Sequence, residues 1–518
     1  MNAEEPKYSF NGEDYEFTVR LFNGIHDVYL NNTVWDDLIL EEDIFNWAMK
    51  GSITIKSPFE TMERASEASI KATGKKPEEL IYKFRNDGRD TIFISAKPKF
   101  DTPKGPSNRP DKEWRLEIEA VIFEVEDLPN PSSITKHKKL YFWDKTFQLM
   151  TEKDSEFSTS NTGPNKGKPN ISQASNADRS LAVGTTVAAL LQEDVDFNKH
   201  SLLTNDPEEW DPGSENTKIF YSSPVGAKFI DDLSYLMQYT LSSDATKNQP
   251  CILKLERAET TKTPKQFSLK SIQKYFEKAG NDIRTPKPYQ IDHFFIMEHS
   301  ADEEITVPIQ KAPLGIDSKT EFKADEYSNI RGYQLVDISG KDYSQNFANY
   351  RVTCFNSTAG QYGEEAAYHG AEEYKKFFDA SIKPNIVTKN TTDRLVFTPF
   401  VRDKLNTKTI YSLRNDDVSR LADGRNRLLK YYLFANLALS FSVRGSTHRQ
   451  TGRFFGLSKR TNNREEHDHK LEGQYFVTSV LHHFSNANRD YTNHIVGVKT
   501  HTYEEKTTFV SDDVIITK

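Results

Sequence analysis

The chain has 518 residues, of which 12% are aromatic, so a disordered chain is excluded and several folded domains are expected. Its formal net charge of −8 argues against a protein that coats nucleic acid through a basic face. The sequence has two distant cysteines, an acidic N-terminus without a leader pattern, and no apolar stretch long enough to cross a bilayer. These features predict reduced thiols, assembly in the cytoplasm and no membrane span.

Residues 1–150 are predicted to form a strand-rich domain. In residues 15–22 apolar and polar side chains alternate, which is the period of a half-buried strand. The same period recurs in a long segment whose apolar face consists of Trp114, Leu116, Ile118, Ala120 and Ile122. Further strands are predicted at 33–40, 51–57, 90–97 and 138–144. This number of strands favours a small barrel or sandwich.

Residues 151–178 are polar and rich in Ser, Asn, Gly, Pro and Lys, so they are predicted to be a linker. Residues 179–392 are predicted to form a mixed α/β region. Apolar residues recur at helical spacing in four segments, 178–192, 227–241, 268–282 and 363–380. Strands are expected at 250–257, 293–299, 329–338 and 349–358, with a proline-broken loop at 300–325.

Residues 393–518 return to strands. Seven candidate strands lie at 394–401, 408–412, 437–445, 452–459, 473–484, 493–503 and 506–517. A helix is expected at 417–434 and leads into the third of them.

The histidines of this last part are the first candidates to consider for a metal site. The adjacent His482 and His483 are expected to face opposite sides of a strand, with Phe476 on the side of His482 and Tyr475 on the side of His483. They therefore do not easily share one ion. A zinc site would need a cross-strand pair completed from 467–469, because zinc takes three or four ligands. We favour ordinary strand residues with no metal and no cofactor; a metal-dependent hydrolase that uses this histidine cluster stays open as an alternative.

Catalytic motifs are not found in the sequence. It has no nucleophile elbow, no H-E-x-x-H pair and no Walker or dinucleotide-binding glycine motif. Acidic runs at 41–43, 231–232 and 512–513 are predicted to be solvated faces and turn ends, not a pair of catalytic carboxylates. We therefore do not expect an enzyme. A carbohydrate-binding adhesin module is a further alternative, since exposed aromatic residues are not distinguished from core ones in a sequence alone.

Several stretches resemble the central tail-hub proteins of contractile-tailed bacteriophages, a family related to the hub part of VgrG-type spike proteins. Residues 34–55 carry an acidic E-D-I-F turn followed by G-S-I-T-I, and residues 175–192 resemble the helix that follows the family's linker. Residues 437–458 and 471–503 resemble the family's second barrel, with V-x-G-x-T followed by G-x-Y-x-V-T-x-V-x-H-x-F. The positions that match the latter pattern and its return strand are Gly473, Tyr475, Val477, Thr478, Val480, His482, Phe484 and Tyr491.

The resemblance implies a β-rich α+β fold, with two tail-tube-like β-barrel domains at the ends and a mixed α/β middle region. It implies a homotrimer in the virion, at the tail baseplate, assembled in the host cytoplasm. This hub would join the six-fold tail tube to the three-fold spike, and genomic DNA would pass through its channel without specific binding. The implied partners are tail tube or tube-initiator proteins, the central spike protein and the tape measure protein. The residues expected to serve the structure or its interfaces are Trp35, Asp43, Ile44, Phe45, Gly51, Gly473, Tyr475, Val477, His482, Phe484 and Tyr491.

Overall fold

A computed structural model gives the fold of a large part of the chain. The residues it describes are 8–11, 14–24, 27–30, 34–56, 84–85, 90–99, 114–129, 137–159, 181–193, 209–213, 218–243, 251–257, 265–271, 274–275, 290–296, 306–307, 322–323, 330, 332–337, 349–356, 361–369, 392–398, 411–413, 437–459, 471, 473–499, 507–510 and 514–517.

The first part of the chain forms eight strands and one helix within these residues, much as the alternating pattern predicts. They are β1 (Tyr8–Phe10), β2 (Tyr15–Phe22), β3 (Asp27–Tyr29), β4 (Trp35–Asp43), β5 (Lys50–Ile55), β6 (Thr91–Pro98), β7 (Leu116–Leu128), β8 (His137–Asp144) and α1 (Lys145–Glu152). In β2 every second side chain from Tyr15 to Leu21 is buried, as expected for a strand with one face on a core.

Within the described residues, the middle part mixes two helices with mostly short strands. Its elements are β9 (Leu181–Ala182), α2 (Val183–Glu193), β10 (Lys218–Tyr221), α3 (Phe229–Met237), β11 (Cys251–Glu256), β12 (Gln266–Ser271), β13 (Gln290–Ile296), β14 (Thr306–Val307), β15 (Phe322–Lys323), β16 (Gly332–Asp337), β17 (Asn349–Asn356), β18 (Gln361–His369) and β19 (Thr392–Thr398). The helices predicted at 178–192 and 227–241 are confirmed as α2 and α3.

Two other helix predictions are wrong over their first described residues, whereas 274–275, inside the first of them, are helical as predicted. Residues 266–271 form β12, which pairs antiparallel with β11, although 268–282 has apolar residues at helical spacing. Residues 361–369 form β18, which pairs with β17, although 363–380 was predicted to be a helix. In both places pairing with a neighbouring strand overrides the local preference for a helix.

The last part is again built of strands. They are β20 (Tyr411–Leu413), β21 (Leu437–Arg444), β22 (Phe454–Lys459), β23 (Gly473–Ser485), β24 (Asp490–Lys499), β25 (Thr507–Val510) and β26 (Val514–Thr517). The final predicted strand at 506–517 is a two-stranded hairpin of β25 and β26. The predicted helix 417–434 lies outside the described residues, as does most of the linker.

One 14-stranded sheet connects the two ends of the chain. Its main order is β1-β2-β6-β7-β8-β5-β4-β23-β24-β21-β16, with β3 beside β2, β22 beside β23, and β13 beside β22. Strand β4 from the first part pairs antiparallel with β23 from the last part. A β-rich α+β fold is therefore confirmed.

The apolar core extends across this pairing of the first and last parts of the chain. Phe484 and Tyr491, from β23 and β24, are fully buried in the apolar cluster that the first part forms around Phe17 and Trp35. The ring of Phe484 stacks on Phe17 at a centroid distance of 4.7 Å and on Tyr491 at 4.1 Å. A core shared in this way holds the two ends together. Among the helices that the structure describes, none is long and apolar enough to cross a membrane.

Candidate functional site

Three of the four segments that carry the sequence resemblance meet in one place, whereas 175–192 supplies helix α2 elsewhere. Residues 34–55 supply β4 and β5, residues 437–458 supply β21, and residues 471–503 supply β23 and β24. These strands are consecutive in the sheet, in the order β5-β4-β23-β24-β21. We call the pairing of Asp37–Asp43 with Ser479–Ser485 the seam, and residues 445–452, which follow β21, the seam loop.

A β-bulge in β23 decides which residues face the core at the seam. The register between β23 and β24 shifts between Val477 and Ser479, so Thr478 is the extra residue. Tyr475 and Val477 before the bulge and Val480 after it pack in the same cluster. Strict alternation, which predicted opposite faces for Tyr475 and Val480, is wrong because of this extra residue.

His482 is the polar centre of the buried side. It is fully buried and lies between Tyr491 and Asn493 on the neighbouring strand β24. Its Nδ1 is 2.7 Å from the Tyr491 hydroxyl and accepts a hydrogen bond from Asn493 Nδ2 at 2.9 Å. The Asn493 orientation is fixed because its Oδ1 accepts from Ser446 N and Arg449 Nη1. His482 therefore carries its proton on Nε2.

Burial is the main reason that the pKa of His482 is lowered. The nearby Glu42 carboxylate opposes this shift and the Arg257 guanidinium supports it. The His482 Nε2 atom is 3.8 Å from Glu42 Oε1. The imidazole is thus neutral and held in one tautomer, which suits packing more than proton transfer.

Glu42 links the seam to the middle of the chain. Its Oε1 is 3.1 Å from Arg257 Nε, and its Oε2 accepts a hydrogen bond from Thr451 N at 3.4 Å. Burial by itself raises the pKa of this carboxyl, but Arg257, His482 and Lys254 outweigh it and lower the pKa to about 2. Glu42 is therefore ionised and paired inside the protein.

The seam loop is the meeting point of all three parts. Residues 446–451 are polar, and each has at most 4% of its surface exposed. Arg257 Nη2 donates to the carbonyls of Thr447 and Arg449 at 2.5 and 2.7 Å, and Lys254 Nζ donates to the Thr451 carbonyl at 2.8 Å. Thr447 Oγ1 donates to the Trp114 carbonyl of the first part at 2.9 Å. Buried polar backbone needs such partners, and here they come from distant segments.

A second group of buried charges lies on the β11–β12 hairpin. Lys254 and Lys270 both contact the Glu256 carboxylate, at 3.1 and 3.2 Å. Burial raises the pKa of Glu256, but the two lysines outweigh it and leave that pKa well below its usual range. Lys270 also pairs with Glu209 outside the hairpin, so two carboxylates compensate the two lysines in a structural network.

The two outward histidines each contact a polar neighbour, and their rings stack on each other at a centroid distance of 6.3 Å. His483 Nε2 lies 3.1 Å from Asp37 Oδ1, and His494 Nδ1 lies 2.6 Å from the Ser442 hydroxyl. Within the described residues, no group of three or more His, Cys, Asp or Glu side chains is placed to hold a metal ion. His467, His469 and His501 lie outside those residues.

The residues predicted to serve the structure or its interfaces occupy several kinds of position, and Phe45 is partly buried against the cluster that contains Ile44. Those buried within this chain are Trp35, Ile44, Tyr475, Val477, His482, Phe484 and Tyr491. Asp43 Oδ1 accepts a hydrogen bond from Phe45 N at 2.8 Å and so caps the turn after β4. At Gly51 an added Cβ would lie 2.5 Å from the Ile39 carbonyl oxygen, so this strand position requires glycine. Gly473 pairs with Leu457 where β23 begins.

Two acids predicted to be solvated are buried instead. Glu42 follows Leu38 and Leu40 in the inward row of β4, and Asp232 lies within the apolar stripe of α3. The alternation in β4 and the helical spacing in α3 are visible in the sequence and would have placed both acids inward. Arg257 and Asn493 had no comparable signal, because their partners are distant in sequence.

No protein-family model matches the chain, and no curated protein matches its sequence. Similar solved structures are a tail protein from Neisseria meningitidis MC58 and the 43 kDa tail protein of prophage MuSo2 from Shewanella oneidensis. The first has 9% sequence identity and a TM-score of 0.46 over 96% of this chain and 99% of that one. The second has 10% identity and a TM-score of 0.47 over 93% and 98%.

A third similar structure is a Francisella PdpA-VgrG complex, with 12% identity and a TM-score of 0.42 over 96% of this chain and 55% of the matched one. The similar structures are thus two tail proteins, one of them from a prophage, and a VgrG-containing complex. All three TM-scores are below 0.5.

Proposed function

We propose that the chain is a structural protein of a phage tail baseplate, and specifically the central hub between tail tube and spike. The observation that carries this proposal is the order β5-β4-β23-β24-β21. Segments from opposite ends of the chain, which separately resemble tail-hub proteins, are neighbours in one sheet. A resemblance scattered by chance has no reason to assemble in this way.

The seam indicates how the two strand-rich regions of the hub would be arranged within one chain. Because β4 pairs with β23, one chain presents two strand-rich regions side by side. We propose that these regions, 1–150 and 393–518, are the two tube-like barrels of the hub, on either side of the mixed region 179–392. Three copies around one axis would then place six such regions in a ring. That ring would match a six-fold tube on one side and a three-fold spike on the other.

The contacts of the buried charged residues favour a structural role for the chain over a catalytic one. Glu42, Arg257 and the seam loop bind one another across three parts of the molecule. These groups are occupied in holding the parts together. The overall charge of −8 also suits a channel through which DNA passes, because acidic walls do not retain phosphate.

Native mass spectrometry of the purified full chain tests this proposal. We expect a species of three times the chain mass without bound metal, and rings with a central channel in negative-stain images. A monomer that persists when tube and spike proteins are added would contradict the hub. A monomer with stoichiometric zinc would instead favour the hydrolase alternative.

A further inference from the structure

We infer that Glu42 and Arg257 form a register key, a buried ion pair that selects one alignment of β4 against β23. This inference concerns how the two ends of the chain are joined, and it does not depend on the proposed hub function. The pair lies beside the seam, with Glu42 on β4 and Arg257 just after β11 in the middle part of the chain.

The apolar pattern alone leaves the alignment open. A slip of one residue would turn the inward side chains of β4 to the outside and is excluded by the core. A slip of two residues keeps Leu38 and Leu40 facing inward. Phe484, which is opposite Leu38, would then be opposite Leu40, which is equally apolar. The alternation of apolar residues in β4 therefore does not by itself distinguish the observed alignment from this slipped one.

Glu42 removes this ambiguity because its partner is held independently of β4. Arg257 is anchored on the Thr447 and Arg449 carbonyls of the seam loop, and its Nε lies 3.1 Å from Glu42 Oε1. A slip of two residues would move Glu42 by about 6.8 Å along β23. Arg257 would then lose its carboxylate while remaining buried. A single buried polar pair can specify an alignment in this way even where it adds little stability.

The neighbouring residue provides a matched control. Glu41 on the outward face of β4 also forms an ion pair, with Lys50 of β5 at 3.3 Å. The side chains of this outer pair are 36% and 51% exposed, against 7% and 11% for Glu42 and Arg257. Solvent replaces the contacts of the outer pair readily, so it has no comparable influence on alignment.

Cysteine trapping in the full chain tests the key. Asp37 and Ser485 are Cα partners, so Asp37→Cys with Ser485→Cys reports the observed alignment. Ile39→Cys with Ser485→Cys reports a slip of two residues. Disulfide bonds form between directly opposed side chains and much less between diagonal ones. Each reporter pair is introduced into three backgrounds: the otherwise unchanged chain, Glu42→Leu/Arg257→Leu, and the control Glu41→Leu/Lys50→Leu. After mild oxidation, disulfide-linked peptides are quantified by mass spectrometry.

We expect the slipped pair to stay at background in the unchanged chain and in the control. In Glu42→Leu/Arg257→Leu its yield should rise to about a tenth of the yield of the native pair or more, which corresponds to a tenfold preference or less. Should this variant fail to fold, Glu42→Gln keeps the side-chain shape while removing the charge, and the same rise is expected. If the variants that fold show only the native cross-link, at unchanged yield, the register key is overturned.

Discussion

His482 makes the stability of the chain sensitive to acid. Its buried, neutral imidazole has a lowered pKa in the folded chain, so the unfolded chain binds a proton first as the pH falls. The stabilising effect of the neutral ring is complete above the ordinary histidine pKa of about 6.5 and is lost as the pH falls toward the folded value. This loss amounts to at most about 1.4 kcal/mol per pH unit.

The expected signature is a smaller acid sensitivity in His482→Gln. Glutamine stays neutral and can accept from Asn493, so this variant should be less stable at pH 7.5 but lose less stability between pH 7.5 and 5.5. Urea unfolding at both pH values measures the difference. The control is His483→Gln, which removes the partly exposed neighbour. An equal loss in His482→Gln and the unchanged chain would contradict a buried neutral His482.

Gly445 is required because the Tyr491 ring lies directly over it. A Cβ built at Gly445 would overlap carbons of that ring, and the ring is fixed between His482 and Phe484. We expect Gly445→Ala to lower the free energy of unfolding by about 1–3 kcal/mol through overpacking. At Gly332 an added Cβ meets nothing within 4 Å, so Gly332→Ala is the control and should be near neutral. Similar denaturation midpoints for the two variants would show that the ring can move aside.

At the scale of elements, sequence patterns predicted strands well where one face of the strand is buried. They failed where pairing with another strand decides between helix and strand. β2 and β7 alternate clearly, and their positions were predicted. In 266–271 the apolar residues fit both periods, and pairing with the preceding strand β11 selects the extended form. The bulge at Thr478 likewise depends on the neighbouring strands. Of the candidate site, His482 and Tyr491 were identified by resemblance, whereas Glu42 and Arg257 meet only in the fold.

Asp232 ties helix α3 to the end of β10 and to the segments that follow α1 and β10. Its carboxylate accepts hydrogen bonds from the hydroxyls of Ser155, Ser223 and Tyr221, the last at 2.6 Å. An asparagine side chain would offer one acceptor oxygen where two are used, so Asp232→Asn should cost about 2 kcal/mol of unfolding free energy. Asp231→Asn is the matched control, because Asp231 is exposed and accepts only from the Lys228 backbone among the bonds described. Thermal unfolding of both variants measures the difference, and equal melting temperatures would mean that the hydroxyls re-pair without cost.

At the scale of the whole molecule, the two ends are expected to unfold together. The core of the first part is completed by Phe484 and Tyr491, and the seam loop is bonded to the first and middle parts. Removing the Phe484 ring should therefore weaken β2 and β4 as much as β23. Phe484→Ala leaves a cavity where the Phe10 and Phe17 rings make contact, at an expected cost of about 3–5 kcal/mol.

Hydrogen exchange followed by mass spectrometry measures this coupling. In Phe484→Ala we expect faster exchange in peptides from β2 and β4 as well as from β23 and β24, by a similar factor, because one cooperative opening exposes them all. Phe123→Ala is the control, since that ring is 45% exposed and its removal opens no buried cavity. Acceleration confined to β23 and β24 would mean that the first part retains its core alone. The seam would then be a contact between independent domains, and the buried charges of the seam loop would act only in docking them.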